Sequence, residues 1–493
     1  MLESIKGIAE KYKKTINPLI VYVIAFAFLL LNTWLINKGW FQASLVVPAI
    51  LIIAAMYIFA MDKVLMLIVL LTPLAVNIRD LGVGFGISLP TEPLLIGLAI
   101  LFILKSFYER TFDRKIYSQP IAIAIIINLL WIFLASIRSE FPIVSIKFLL
   151  ARLWFVIPMF FMATMLFKDY RNIKRFSWLY GISLIIVIIY TTINHASYGF
   201  GKEQGHWVMS PFYNDHTAYG AAIAFFTPVF IGFTFNAKYS KTTRILTLAA
   251  TLFIILGLIL SSSRAAWLSL AAALGIYTLI ILKIRFRTVA IIILVTFSLL
   301  WTFQFEIIDA LEKNDQDSSQ DLVEHIQSMT NISTDASNLE RINRWQSAIR
   351  LFEERPFWGW GPGTYQFVYA PYQRAEEKTI ISTNSGDMGN AHSEYLGPLA
   401  ESGVLGTLTL LGIIVVMGMT SMRVYKRSQD KEHKMIIMVS MLALATYFIH
   451  GTLNNFLDSD KLSVPVWGFM AILVAMDMYH VPKKDSKELQ LEE

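Results

Sequence analysis

Residues 120–137, PIAIAIIINLLWIFLASI, decide the fold class of this chain. The stretch contains no charged residue, and about 17–25 apolar residues are long enough to cross the hydrocarbon core of a bilayer as a helix. Because lipid offers the backbone no hydrogen-bond partner, such a run must bond internally, as an α-helix does. The stretch therefore predicts a membrane-spanning helix.

Comparable apolar runs recur along nearly the whole chain, which is 55% hydrophobic and only 16% charged. A soluble domain averages about 25% charged residues. The sequence therefore predicts an all-α fold, a polytopic transmembrane helical bundle. The third and fourth runs are short, so twelve to fourteen spans are expected. The predicted spans are 15–36, 43–61, 64–78, 93–109, 120–137, 148–167, 176–194, 217–235, 244–261, 265–282, 288–304, 396–421, 435–452 and 463–480.

Lysine and arginine are concentrated on alternate connections between these spans. Basic residues favour the cytoplasmic side of a membrane, so this bias predicts that both termini are cytoplasmic. The remaining connections are then extracytoplasmic. The basic connections hold 27 of the 42 lysines and arginines: Lys6, Lys11, Lys13, Lys14, Lys63, Lys105, Arg110, Arg114, Lys115, Lys168, Arg171, Lys174, Arg175, Lys238, Lys241, Arg244, Lys283, Arg285, Arg287, Arg423, Lys426, Arg427, Lys431, Lys434, Lys483, Lys484 and Lys487.

Composition also excludes several kinds of chemistry. The chain has no cysteine, which rules out disulfides, thiol catalysis and cysteine-ligated metals. The net charge of +6 is accounted for by cytoplasmic anchoring and membrane lipids, so no nucleic-acid partner is expected.

A long hydrophilic loop divides the predicted spans into two groups. Residues 1–303 hold spans 1–11, residues 304–395 form a large extracytoplasmic loop, and residues 396–480 hold the last three spans. Residues 481–493 form a short cytoplasmic tail. Loops of this length without a role are uncommon, so the loop is expected to be functional.

Within the loop, SNLERINRWQSAIRLFEERP (337–356) predicts an amphipathic helix over 338–354. Ser337 and Glu340 match the capping-box pattern at its start, and Pro356 stops it. The same pattern is also typical of an interfacial helix, which lies against lipid headgroups.

Two arginines of this helix, Arg341 and Arg344, project from nearly one face. Trp345 adjoins the second, and Tyr365 follows in the glycine-rich segment FWGWGPGTYQF (357–367). Aromatic rings of this kind suit either a membrane-interface belt or stacking on sugars. We therefore count Arg341, Trp345 and Tyr365 as candidates for substrate binding.

A further arginine stands between two apolar runs in LILSSSRAAWLSL (258–270). The charge bias places Arg264 on the extracytoplasmic side, where a cation is costly unless an anion meets it. A lipid headgroup could supply that anion, and so could a phosphate held by Arg264 and the helix start. Arg138, Lys147 and Arg152 add cations on the same side, and Lys147 and Arg152 are counted as possible substrate ligands.

The stretch NAHSEYLGPLAESG (390–403) places ionisable groups at the mouth of a predicted span. His392 could cap the helix or act as a base, and Glu394 and Glu401 could orient it or balance the arginines. Glu394 is also counted as a possible substrate ligand. In a regular helix Glu394 points about 200° away from His392, so a direct pair requires an irregular backbone.

Other polar groups in the extracytoplasmic loops carry weaker signals. His206, Asp215 and His216 are interpreted as loop and N-cap residues rather than metal ligands. The motifs DQD (315–317) and DSD (458–460) could hold a divalent cation, but such a motif in an acidic loop is weak evidence. No metal and no cofactor is predicted.

Three motifs in this order, SSSRAAW, RINRWQSAIRLFEERPFWGWGPGTY and NAHSEYLGPLAESGVLG, resemble the O-antigen ligase and O-antigen polymerase superfamily. The resemblance covers about residues 250–420 by motif and the rest by topology. It implies a GT-C-like bundle in the bacterial inner membrane, with its active site on the periplasmic face. The implied donor is a glycan on undecaprenyl pyrophosphate, and the implied acceptor is another glycan or the lipid A core.

The resemblance also implies roles for particular residues. Arg264 and one arginine of the loop helix would grip the donor pyrophosphate, and His392 would assist the acceptor. Arg344 is preferred to Arg341 for the second arginine because it precedes Trp345 in an Arg-Trp pair. The catalytic set predicted from the sequence is therefore His392, Arg264 and Arg344.

The predicted function is a metal-independent, inverting glycan transferase of the O-antigen ligase type. A polymerase or a protein O-oligosaccharyltransferase would use the same donor chemistry. A glycolipid transporter or flippase is the alternative outside this class. Transporters usually show internal repeats and charges in discontinuous midplane helices. The sequence shows no convincing repeat, and its ionisable groups gather at the span ends.

Overall fold

The computed structural model describes residues 18–40, 51–78, 86–109, 112–284, 336–378 and 389–482, together with the isolated positions 288, 295, 298, 302 and 382. Most of the predicted span 288–304, the DQD motif and the tail beyond residue 482 lie outside the described residues.

Helices make up nearly all of the described chain, which confirms the all-α prediction. They are labelled in chain order α1 (Pro18–Asn37), α2 (51–59), α3 (Met61–Leu71), α4 (Thr91–Glu109), α5 (Pro120–Ile137), α6 (Pro142–Leu166), α7 (Tyr170–Ser197), α8 (His216–Thr234), α9 (Lys241–Leu260), α10 (Arg264–Ile281), α11 (Ala336–Glu354), α12 (Leu396–Arg427), α13 (Lys431–His450) and α14 (Asp460–His480).

Shorter elements connect these helices. Two strands, β1 (Val76–Asn77) and β2 (Ser88–Leu89), pair antiparallel with Val76 opposite Leu89. Single turns of 3₁₀ or α-helix occur at Thr72–Leu74, Arg114–Ile116, Gln204–His206, Tyr365–Val368, Ala370–Tyr372 and Ala375–Glu377. The α6 and α14 helices include π-helical segments at Ile157–Met162 and Met476–His480.

Ten helices of the described chain, α4 to α10 and α12 to α14, are long and apolar enough to cross a membrane. The polytopic membrane architecture predicted from the sequence is therefore confirmed. The third predicted span, 64–78, is shorter than expected, because α3 ends at Leu71 after 11 residues. Eleven residues at about 1.5 Å each cover only half of a bilayer core. Pro73 and the following β-hairpin end the helix.

The centre of the bundle is built around α14, of which 89% is buried inside the protein, against 22% for α10. Small residues let aromatic rings approach its backbone. A side chain at Gly468 would place its Cβ 2.2 Å from the ring of Phe176, so only glycine fits there. Phe469 packs edge-to-face against Phe225 at 5.0 Å. This packing makes α14 the axis on which the other helices rest.

Ion pairs define one end of the bundle. Lys238 pairs with Asp430 at 2.7 Å, and Arg427 pairs with Asp477 at 2.6 Å. Lys174, near the start of α7, pairs with Glu432 near the start of α13. These residues lie where α7 and α13 begin and where α8, α12 and α14 end. The starts of α8, α12 and α14 therefore lie together at the opposite end, which we call the site end.

At the site end, α12 is broken at Gly403, whose φ of 68° and ψ of −170° lie outside the helical range. The backbone groups freed by this break are paired by the loop that follows α11. Gly361 N–H donates to the carbonyl of Glu401 at 2.7 Å, and Val404 N–H donates to the carbonyl of Pro356 at 2.9 Å. The break therefore joins the segment after α11 to the beginning of α12.

Helix α11 is attached to the bundle by its own small core. Ala348 and Leu351 on α11 are fully buried against Tyr365, Tyr369 and Ala400. The helix begins at Ala336, so Ser337 is not its N-cap as the capping-box pattern had predicted. This core fixes the orientation of the arginine-bearing helix relative to α12.

Gly403→Ala is expected to lower the thermal unfolding midpoint of the detergent-purified protein. A left-handed backbone costs a residue with a Cβ about 1–2 kcal/mol. The new Cβ would also lie 2.1 Å from the carbonyl oxygen of Phe357. Gly412→Ala, on the same helix with open space around its Cβ, is the control. Equal midpoints for the two variants would contradict the role given to this break.

Candidate functional site

Arg264 stands on a sharp corner between α9 and α10. Ser261 follows α9, Ser263 precedes α10, and Ser262 between them takes a left-handed conformation with φ 51°. Arg264 is the first residue of α10, and it is exposed. An anion bound at this corner would interact favourably with both the guanidinium and the positive end of the helix dipole. The corner therefore has the electrostatics of an anion site.

A pair of histidines lies beside this corner. The start of α8 touches it, because a Cβ added at Gly220 would lie 2.6 Å from the Cβ of Ser263. His216, the first residue of α8, faces His206 with their Nδ1 atoms 3.2 Å apart. Their rings are nearly perpendicular, with centroids 4.3 Å apart. The loop before α8 is thereby held against Arg264.

Asp215 is the N-cap of α8, which confirms the interpretation of the sequence. Its Oδ1 accepts hydrogen bonds from the backbone N–H groups of Thr217 at 2.7 Å and Ala218 at 2.8 Å. These bonds satisfy two of the donors that every helix start leaves unpaired. The cap therefore fixes a carboxylate at the site end.

Arg341 of α11 interacts electrostatically with three imidazoles. Its charge acts on the rings of His216, His392 and His450, and the charge of Asp215 acts on the same three rings with the opposite sign. Such effects fall with distance, so they place three imidazoles around one guanidinium and one carboxylate. Four separate segments of the chain meet there.

Arg264 is joined to this group through His216. The charges of Arg264 and Arg341 both act on the His216 ring. The two arginines are 77 residues apart in the sequence, yet both act on the same imidazole. The fold therefore brings Arg264, Arg341 and His392 to one region, and the charge of Arg344 also acts on His392.

Arg344 is held more tightly than Arg341. It is 5% exposed, and its Nε donates to Glu340 Oε1 at 2.6 Å. Its guanidinium lies over the ring of Tyr369, 4.3 Å from the centroid. Burial opposes ionisation of Glu340, but hydrogen bonds from Ser382 and Arg344 prevail and lower its pKa. The positive charge of Arg344 is thus largely balanced by the carboxylate of Glu340.

His392 lies in a turn just before α12, with a left-handed φ of 47°. Its backbone N–H donates to Asn390 Oδ1 at 3.0 Å, which stabilises the turn. Burial lowers the pKa of the imidazole to about 4, and the positive charges of Arg341 and Arg344 act in the same direction. The ring is therefore neutral at pH 7 and able to accept a proton. Backbone strain of this kind is common at functional sites.

Glu394 does not contact His392 in the way the sequence had suggested. Its Oε1 accepts hydrogen bonds from the Tyr447 hydroxyl and from the backbone N–H groups of Phe456 at 2.8 Å and Leu457 at 2.9 Å. The irregular backbone that a direct pair requires is present at His392, but the Glu394 carboxylate is bound by these three donors instead. Burial raises the pKa of Glu394. Its position is that of a clamp between α12 and the turn after α13.

Glu401, on α12 and seven residues after Glu394, has a similar role. Its Oε1 accepts the backbone N–H of Tyr365 at 3.0 Å, and the Tyr365 hydroxyl donates to the carbonyl of Arg344 at 2.7 Å. Tyr365 is buried and stacks on Tyr369, the ring that carries Arg344. Tyr365, predicted as a substrate ligand, therefore supports α11 from behind.

The remaining predicted ligands lie in different surroundings. Trp345 is half-buried on α11, next to Arg344. Arg152 is buried on α6 and pairs with Asp458 at 2.7 Å. With Glu394 and Glu401 it lines a cavity of about 40 Å³. Arg152 is therefore grouped with the two carboxylates rather than with the three imidazoles.

Two further cations of this side also lie away from the imidazoles. Lys147 is exposed on α6. Arg138 lies over the ring of Trp358, 5.8 Å from its centroid. Trp358 in turn stacks on Trp131 at 5.1 Å, with 7° between the ring planes. These contacts are typical of an aromatic belt at a membrane surface.

No group of three or more histidine, aspartate or glutamate side chains that could hold a metal ion occurs in the described part of the chain. The carboxylates of the DSD motif are used separately. Asp458 pairs with Arg152, and Asp460 accepts a hydrogen bond at 2.5 Å from the hydroxyl of Thr91. Both carboxylates of the DSD motif therefore have structural roles.

His450 is the residue of this region that sequence reasoning did not identify. It closes α13 and is 2% exposed. The available signal was a histidine at the last position of a predicted span, on the same side as His392. A single polar residue at a helix end has many structural roles, so the sequence could not single it out.

The region just described coincides with a known family. Residues 249–411 match the family model described as O-antigen ligase, and this segment contains Arg264, Arg341, Arg344 and His392. This match covers about a third of the chain and supports its membership of the O-antigen ligase superfamily. Its members are membrane glycosyltransferases, and the coarse function predicted from the sequence is thereby supported. A search of curated proteins found no match to the chain.

Gly389→Ala tests the placement of Arg344 in this O-antigen ligase superfamily site. A Cβ at position 389 would lie 1.5 Å from Arg344 Nη1 and 2.5 Å from its Cζ. The guanidinium is buried and held by Glu340, so it cannot move away cheaply. We expect glycan-transfer activity to fall at least about tenfold, with the unfolding midpoint little changed. Gly397→Ala, whose Cβ would make only an ordinary 3.9 Å contact, should remain active. Full activity of Gly389→Ala would contradict this packing.

Proposed function

We propose that this protein transfers a glycan from undecaprenyl pyrophosphate to an acceptor hydroxyl on the periplasmic face of the bacterial inner membrane. The observation that carries the proposal is the convergence of Arg264 and Arg341 on imidazoles, beside a histidine that is neutral at pH 7. Such a set supplies charge stabilisation for a leaving pyrophosphate and a base for a hydroxyl. It needs no nucleotide sugar, which the periplasmic face lacks.

The proposed site faces the periplasm because the basic connections gather at the other end of the bundle. Lys174, Lys238 and Arg427 belong to connections at that end, where they form ion pairs. The positive-inside rule then assigns that end to the cytoplasm. In this orientation both termini are cytoplasmic, and a lipid-linked donor reaches the site from the outer leaflet.

In the proposed reaction Arg264 and Arg341 bind the donor pyrophosphate. Arg341 is preferred to Arg344, which reverses the order proposed from the Arg-Trp pair in the sequence. The reason is that the charge of Arg341 acts on the rings of all three imidazoles. Arg344 then holds α11 in place and adds positive potential. Preorganised cations stabilise the charge that builds up on the leaving group.

The acceptor is activated by His392 in this mechanism. Its neutral imidazole takes the proton of the attacking hydroxyl while that oxygen forms a bond to the anomeric carbon of the donor sugar. The bond between that carbon and the pyrophosphate oxygen breaks in the same displacement. Undecaprenyl pyrophosphate leaves with the electron pair, and the configuration at the anomeric carbon is inverted.

The acceptor in this proposal is the lipid A core, as in an O-antigen ligase. A growing lipid-linked glycan would make the protein a polymerase, and a protein hydroxyl would make it an O-oligosaccharyltransferase. Supplying the purified protein with one lipid-linked donor and each acceptor in turn separates these activities, because each product has a different mass. Vesicle transport of the glycolipid with no covalent product would overturn the proposal.

Substitution of the three proposed catalytic residues tests the mechanism. Arg264→Ala and Arg341→Ala should each lower kcat about 10²–10³-fold, the typical cost of removing one charge-stabilising contact. His392→Ala should lower it by about 10²–10⁴-fold. Product formation by purified protein in detergent is the measurement. Arg175→Ala, an exposed site at the basic end, is the control. Wild-type rates for either arginine variant would remove that residue from the mechanism.

Chelation provides a further test of the same reaction. With two guanidinium groups as the source of positive charge, transfer should continue undiminished in EDTA. The measurement is the rate of product formation before and after chelation. Loss of transfer that Mg²⁺ or Mn²⁺ restores would overturn the metal-independent part of the proposal.

The pH dependence of kcat/KM reports the proposed base. The pKa of His392 is lowered to about 4 by burial and the nearby arginines, so the ring stays neutral well below the ordinary histidine range. Activity should therefore persist as the pH falls through 6.5 and decline only towards pH 4. Bound pyrophosphate would neutralise the nearby arginines and so raise the pKa of His392 in the complex. The acidic limb of the kcat profile would then lie at higher pH than that of kcat/KM. A kcat/KM limb near 6.5 that His392→Ala leaves unchanged would exclude His392 as the base.

A further inference from the structure

His450 is a buried imidazole whose hydrogen-bonding capacity is unused by the residues around it. Apart from its own main-chain carbonyl, neither ring nitrogen has a hydrogen-bond partner among the residues that the structure describes. Its exposure is only 2%. Burying a donor or an acceptor without a partner costs free energy, so such a group calls for an explanation.

Two other histidines in the described chain, the buried His195 and the half-buried His480, show the usual solution. His195 Nε2 lies 2.9 Å from the carbonyl oxygen of Gly201, and His480 Nε2 lies 2.7 Å from that of Phe167. Each therefore bonds a carbonyl of another residue. His450 differs from both in this respect, although it is as deeply buried as His195.

The position of His450 connects it to the proposed active site. The next residue, Gly451, accepts the backbone N–H of Glu394 at 2.8 Å, so the turn after α13 is tied to the segment that carries His392. The charges of Asp215 and Arg341 both act on the His450 ring. The ring of Phe456 lies against it, with centroids 5.8 Å apart. His450 therefore borders the group formed by Arg341 and the other imidazoles.

The chemistry of this border favours a neutral hydroxyl over a phosphate. A neutral imidazole has one donor and one acceptor, and so has a sugar hydroxyl, whereas a pyrophosphate oxygen only accepts. The carboxylate of Asp215 acts on the same ring and would repel an anion. The pyrophosphate is better served by Arg264 and Arg341, whose positive charges attract it.

We propose that His450 binds a hydroxyl group of the acceptor and, with His392, forms an acceptor subsite for a hydroxyl-rich glycan. This inference rests on the proposed transferase function and assigns a binding residue to it. The hydroxyl that reacts gives its proton to His392, while His450 holds a neighbouring part of the acceptor and keeps its own proton. The unpaired ring nitrogens of His450 are then satisfied when the acceptor is bound.

Steady-state kinetics with the two substrates varied separately tests this subsite. The probes are rough lipopolysaccharide as acceptor and an undecaprenyl-pyrophosphate-linked oligosaccharide as donor. His450→Phe keeps a ring but removes both nitrogens, and it should raise the KM for the acceptor at least about tenfold, or ~1.4 kcal/mol. The KM for the donor should stay within about twofold of wild type. His450→Gln restores a donor and an acceptor and should fall between the two.

His433→Phe is the matched control, because it lies on the same helix at the basic end, near the ring of Tyr170. It should leave the KM for the acceptor unchanged. A His450→Phe variant that folds, as judged by its unfolding midpoint, and keeps the wild-type KM for the acceptor would overturn the subsite. Equal increases in the KM values for both substrates would also overturn it, because they indicate a structural role.

A measurement on the wild-type protein covers the case in which His450→Phe does not fold. Histidine labelled with ¹⁵N gives a ring signal for His450 that disappears in His450→Gln, and saturating rough lipopolysaccharide without donor should shift it. An unshifted signal would overturn the subsite. If the wild-type protein binds the donor but transfers glycan to no acceptor, the proposed function is wrong, and so is the subsite that rests on it.

Discussion

The organisation of the site depends on the exchange of backbone hydrogen bonds at the break in α12. Gly403 leaves the helical conformation, and the groups that this exposes bond to the loop after α11, including Gly361 N–H to the carbonyl of Glu401 at 2.7 Å. In the membrane such groups cannot be left to water, so the two segments must stay together. Arg341 and His392 are consequently held on opposite sides of one joint.

Carboxylates reinforce this joint from behind. Glu401 anchors the turn that contains Tyr365, and Tyr365 in turn bonds the backbone of Arg344. Glu394 anchors the turn that follows His450 at the end of α13. The two glutamates that stood out in the sequence therefore position the site without entering it. Their burial is tolerated because backbone N–H groups satisfy them.

The site itself separates two kinds of chemistry within a small space. In the proposed mechanism arginines supply positive potential for a diphosphate, while burial and the same potential keep the nearby His392 imidazole neutral. The arginines thus also lower the pKa of the proposed base. Asp215, fixed by capping α8, places one negative charge among the rings and gives the region a side that favours hydroxyl groups.

The sequence by itself determined the membrane class, most of the spans and the family, because apolar run length and local motifs are properties of short segments. It also placed Arg264, Arg341 and His392 as candidates. Only the tertiary structure showed that the charges of Arg264 and Arg341 act on one imidazole, and that Glu394 binds the turn after α13. It alone brought His450 to the site. Those outcomes depend on the irregular turn at His392 and the break at Gly403, whose contacts join residues far apart in the chain.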